Sequence, residues 1–70
     1  MEEKKYELYV VEVITFDGDQ FPVAGVQDLM EAETIFYRCH NPHYKGCVIL
    51  GYIDKYKFEV INEWIGEKVE

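Results

Sequence analysis

The sequence predicts a small α+β domain: one α-helix packed on an antiparallel sheet of three to four strands, in the order β, short β, α, β, β. Three observations predict it. Residues 6–16, "YELYVVEVITF", are rich in the Val, Ile, Tyr and Phe that suit a pleated surface. Residues 25–42, "GVQDLMEAETIFYRCHNP", repeat apolar residues at helical spacing. Residues 47–65 hold two further strand-like runs, "CVILGYID" and "YKFEVINEWI".

The first strand is apolar on both sides. Tyr6, Leu8, Val10, Ile14 and Phe16 share one face, and Tyr9, Val11 and Val13 the other. A strand covered on both sides reads this way. Asp17-Gly18 signals a two-residue hairpin turn of type I′, which needs positive φ. A short return strand over residues 20–24 follows, and Pro22 confines it to the sheet edge.

In the helix, Asp28 stands as N-cap with Glu31 three residues on, a variant of the capping box. Leu29, Ala32, Phe36 and Cys39 form the core stripe, with Ile35 beside it. Pro42 ends the helix by forcing Asn41 out of the α region. Met30 and Tyr37 lie well round from the stripe and form an exposed apolar pair. The last two strands join at a two-residue turn, Asp54-Lys55, which opposes Gly51 to Phe58 and Ile49 to Val60. Val48, Leu50, Tyr52 and Ile61 then occupy the second sheet face, alternating with Lys57, Glu59 and Glu63. One helix covers only one face, so the second is left apolar and open, the usual mark of a contact surface.

Seventy residues form a single domain, 1–70, with frayed ends at about 1–4 and 67–70. The start "MEEKKYE" lacks signal-peptide character, and no apolar stretch reaches the ~20 residues of a membrane-spanning helix. A cytoplasmic chain with reduced thiols is expected, and two cysteines do not make a secreted disulfide framework. The formal net charge is −7. That disfavours direct binding to nucleic acid or to an anionic membrane. The bases Arg38, Lys45, Lys55 and Lys57 form an island too sparse for a nucleic-acid footprint.

Both cysteines and both histidines fall within "RCHNPHYKGC", residues 38–47. Cys39, His43 and Cys47 have a metal-ligand spacing, with His40 adjacent. Four zinc ligands drawn from so short a run, with neighbours Cys39 and His40 converging, suit a helix poorly, because adjacent side chains diverge by about 100°. The structural reading is favoured: Cys39 as a core residue, His40 complementing the helix end, His43 in a solvated turn. No metal and no cofactor are expected.

No catalytic residues are assigned either. The chain has no glycine-rich phosphate loop and no serine, and a core this small leaves little room for a pocket. Asp28, Glu31, Glu33, Glu59 and Glu63 offer an alternative reading, an acidic mimic of nucleic acid that inhibits a DNA- or RNA-binding protein. A third reading is a small zinc-stabilised domain. The leading expectation is a non-enzymatic interaction module. Its partners are itself, as a dimer or larger assembly, and another protein. The contact runs through Val48, Leu50, Tyr52 and Ile61, or through Met30 and Tyr37. In size, acidity and lack of catalytic motifs the chain resembles the small proteins carried by phages and mobile elements.

Overall fold

The computed structural model describes residues 5–66. The ends expected to fray, 1–4 and 67–70, lie outside the described residues. Five elements follow one another: β1 (Leu8–Ile14), β2 (Gln20–Val26), α1 (Leu29–Arg38), β3 (Gly46–Tyr52) and β4 (Phe58–Ile65). The strands make one antiparallel sheet in the order β2-β1-β3-β4, and the helix packs on β1, β2 and β3. The predicted α+β class and element order are those observed.

Strand alternation explains the core. On β1, Val11 and Val13 point to the helix; their partners across β3 are Ile49 and Cys47. These four, with Ala32 and Phe36 of α1, are the buried cluster. Tyr9, Val26, Ile35, Cys39, Tyr44, Ile61 and Trp64 close its margins. The opposite pleat of β1 carries Leu8, Val10, Glu12 and Ile14 to the face with no helix.

Both hairpins differ from the expected turns. Gly18 has φ +93°, while no other described residue has positive φ apart from glycine, so Asp17 does not sit in a type I′ turn. Instead the Gly18 amide donates to the Thr15 carbonyl (3.0 Å) and the Thr15 amide to the Asp19 carbonyl (2.8 Å). This is the longer three-residue loop ending in a left-handed glycine. The return strand runs to Val26, two residues beyond the prediction, and lies at the edge as Pro22 requires. A bulge between Val11 and Glu12 of the β1–β2 ladder sits beside that proline.

The β3–β4 hairpin departs further from the expected turn. Asp54 accepts the amides of both Tyr56 (2.7 Å) and Lys57 (3.0 Å) on Oδ1, and the Ile53 amide donates to the Lys57 carbonyl (2.9 Å). The aspartate thus opens an Asx turn with one more loop residue than expected. One extra residue turns a strand over. Phe58 now opposes Tyr52 and Val60 opposes Leu50, on the open face. A bulge between Ile49 and Leu50 of the β3–β4 ladder then absorbs a residue of β4, so Asn62 opposes Ile49 and Trp64 opposes Cys47. Ile61 is thereby carried to the helix side, where it packs on the core, and not to the second face.

The helix begins after Asp28, which makes no side-chain cap hydrogen bond; its carbonyl accepts the Ala32 amide at 3.0 Å. It ends at Arg38, before Pro42. Asn41 finishes it: Nδ2 donates to the Arg38 carbonyl (3.5 Å) and Oδ1 accepts the His43 amide (2.9 Å). Gly46 lets β3 start against β4, since a Cβ there would meet the Trp64 carbonyl oxygen at 2.5 Å.

Candidate docking face

Four rows of side chains cross the uncovered face, read from the strand registers. Gln20, Ile14, Gly46 and Ile65 make the first. Pro22, Glu12, Val48 and Glu63 make the second. Gly25, Val10, Leu50 and Val60 make the third, and Leu8, Tyr52 and Phe58 the fourth. The face is hollow. Val48 and Leu50 on the central strand are only 4% and 6% exposed although no helix or strand among the described residues lies over them. Phe58 and Val60 on the outer strand are 52% and 57% exposed and stand as a wall. The hollow between them has a volume of about 310 Å³. A second hollow of about 630 Å³ shares Tyr52 with the first and is lined further by Glu7, Leu8, Ile53 and the loop residues Asp54 and Lys55.

Two carboxylates interrupt this apolar surface, and they sit in one row on either side of Val48. Glu12 rises from β1, where the Gln20 side-chain amide donates to its Oε1 at 2.8 Å. Glu63 rises from β4. With strands about 4.8 Å apart, their backbones are separated by about 10 Å. None of the four strands contains a lysine, arginine or histidine.

The predicted contact residues therefore divide. Val48, Leu50 and Tyr52 lie together on the open face. Ile61 does not join them. Met30 and Tyr37 are exposed on the outer side of the helix, 73% and 61%. Phe58, Val60 and Glu12 complete the open face, and sequence reasoning did not include them. The signal was Asp54 followed by two further polar-flanked positions: an aspartate that starts a loop, and does not sit inside it, adds the residue that brings Phe58 and Val60 round.

The five acids of the mimic reading are not gathered. Asp28, Glu31 and Glu33 lie at the start of α1. Glu63 is on the open face. Glu59 opposes Gly51 at the other end of β4 and is tied down locally. The Tyr6 hydroxyl donates to Glu59 Oε1 (2.6 Å), and Lys5 Nζ lies 3.1 Å from the same oxygen. The hydrogen bond from Tyr6, then the one from Lys5, holds the Glu59 carboxyl below its ordinary range. Tyr6 and Ile61 fill the space above Gly51, which the sequence reserves for Phe58 or a helix residue.

The stretch "RCHNPHYKGC" is built as a helix end. Cys47 is buried and its Sγ donates to the Phe36 carbonyl at 3.5 Å. Burial, then the neighbouring Cys39, pushes the Cys47 thiol up to about 11. Burial also raises Cys39. His43 is exposed and apart from the buried Cys47; among the described residues no three His, Cys, Asp or Glu side chains are placed to hold a metal ion. It is His40 that turns inward. Its ring stacks on Trp64 at 4.4 Å and meets Phe36 edge-on at 4.6 Å. Its Nε2 is buried without a hydrogen-bond partner among the described residues, and desolvation lowers its pKa from 6.5. The pair pins the end of α1 to the end of β4.

No helix among the described residues is long and apolar enough to cross a membrane. No family model, curated protein or solved structure matches the chain.

Proposed function

We propose that the chain is a small cytoplasmic, non-enzymatic interaction module that engages protein through its open sheet face. One observation carries this reading: a two-layer fold leaves Val48, Leu50, Tyr52, Phe58 and Val60 on a continuous hollow surface that the helix cannot reach. An apolar surface of this kind gains free energy when it is covered, roughly 25 cal/mol for each Å² removed from water. Chemistry at the cysteines is disfavoured by the same burial that raises both thiols, since the thiolate is the nucleophile. Two free thiols on separate elements suit a reducing compartment.

Self-association through this face meets an obstacle. Two copies placed face to face would bring Glu12 and Glu63 of each into one interface, with no cation from any strand. A carboxylate without a partner is costly to bury. The geometry therefore favours a different protein as the occupant over a second copy.

Display selection of peptides on the folded protein, counter-selected on Val60→Glu, tests the reading. Binders that lose affinity for the variant are expected. Binders indifferent to Val60→Glu, and sensitive to Met30→Glu or Tyr37→Glu, would move the contact to the helix and sink it. Sedimentation velocity decides the stoichiometry: a dimer dissociated by Val60→Glu would restore self-association.

A further inference from the structure

Resting on that reading of the open face, we propose that its occupant is a cationic amphipathic helix of another protein, which lays its apolar side along the hollow and places a lysine or arginine between Glu12 and Glu63. Shape is the first argument. The floor of Val48 and Leu50 is nearly closed to solvent while Phe58 and Val60 stand proud, so the surface is concave along the sheet. A helix presents a convex cylinder about 10 Å across. A second copy of the same sheet presents another concavity, and two hollows face to face leave a void. The missing layer also has a precedent in this molecule, where α1 covers the other face through a stripe that includes Ala32 and Phe36.

Charge is the second argument. Glu12 belongs to β1, a central strand, so any layer that covers the face must cover its carboxylate too. Gln20 supplies one hydrogen bond and no charge. Glu63 stands across Val48 in the same row. The two acids, with no base on any strand, form a seat that a guanidinium or ammonium fills and that an acidic or neutral helix leaves unpaired. Lys55 and Glu7 lie at the far loop end and mark where the helix would run out of sheet. The seat also discriminates: it rejects a second copy of this acidic chain while accepting a basic partner.

The test uses a labelled model helix of leucine and lysine at amphipathic spacing, with a leucine–glutamate helix as its counterpart, and fluorescence anisotropy as the readout. The lysine helix is expected to bind wild type, and the glutamate helix not to. Glu12→Gln with Glu63→Gln is expected to weaken binding about tenfold or more. Asp17→Asn with Glu31→Gln removes the same charge from the loop and the helix, and is expected to leave binding nearly unchanged. Equal weakening by both double variants would mean diffuse attraction to an acidic chain and would overturn the proposal. Loss of binding in Val60→Glu together with indifference to Glu12→Gln/Glu63→Gln would keep the docking face and overturn the cation seat. Binding unaffected by Val60→Glu would remove the face itself, and with it the function proposed above. A wild-type dimer that Val60→Glu dissociates, with no binding of the lysine helix, would give the face to a second copy. Circular dichroism of each variant confirms that it is folded before binding is read.

Discussion

The two faces of this sheet are built from the same strands and end in different states. On the helix side, Val11, Val13, Cys47 and Ile49 meet Ala32 and Phe36 and form a closed core with no charge in it. On the other side, Val10, Val48, Leu50 and Val60 are equally aliphatic, yet they share their surface with Glu12 and Glu63 and meet no second layer among the described residues. Burial of an individual residue does not distinguish the faces, because Leu50 is almost as hidden as Ile49. Charge and cover do. One face is closed by the chain's own helix, and the other is the face proposed above as a docking surface.

The largest expected effect breaks the finished face. Phe36→Ala should cost about 3–5 kcal/mol. That is comparable with the whole stability of a domain this small, so the cooperative thermal transition should be lost. A sharp transition near the wild-type midpoint would mean that the helix is not the layer that stabilises the sheet. Next comes removal of the charge that separates the faces. Glu12→Leu with Glu63→Leu leaves an uninterrupted apolar surface, and sedimentation velocity should show a concentration-dependent dimer tighter than any formed by wild type. If the variant sediments like wild type, charge is not what keeps copies apart.

A smaller effect tests the anchor at the helix end. His40 has a folded pKa below the 6.5 of an unperturbed histidine, because burial penalises its charged form. Between those two values the unfolded chain binds more protons than the folded one, so stability rises with pH there. His40 therefore contributes fully above about 6.5, and its contribution drains away as pH falls through that window. Thermal midpoints should decline over that range, with the fluorescence of Trp64 reporting the same titration. His40→Gln should flatten both; an unchanged slope would assign the dependence to another group. The smallest effect is the most telling for the open face. Val60→Glu replaces an exposed residue and should change stability by no more than about 0.5 kcal/mol, measured by urea denaturation. A large loss would show that Val60 belongs to the folding core and not to a surface held for a partner.

Much of the covered face was legible in the residues. The alternation of β1, the helical stripe through Ala32 and Phe36 and the edge placement forced by Pro22 are local patterns, and each was matched. The inward turn of His40 was not, because a histidine at a helix end serves equally as a solvated group; only Trp64, twenty-four residues away, makes it a stacking partner. The open face was half legible. Val48, Leu50 and Tyr52 follow from the pleat of β3, whereas Ile61 lies on the helix side and Phe58 and Val60 on the open one, the reverse of what a two-residue turn predicts. Those reversals share a cause. A strand's faces depend on counting residues from its turn, and a one-residue change in loop length reverses them all.

By itself the sequence determined the class, the order of elements, the single helix and the existence of an uncovered apolar face, because these depend on periodicity and on turn-forming residues that act over a few positions. The Asx turn at Asp54 is a local signal that brings Phe58 and Val60 to that face, whereas the bulge at Ile61, which returns Glu63 to it, was decided by tertiary structure. Tertiary structure alone brought Glu12 and Glu63, fifty-one residues apart, to either side of Val48. Register across strands is a long-range property, fixed only when the whole sheet packs on its helix, and the chemistry of the open face is written in that register.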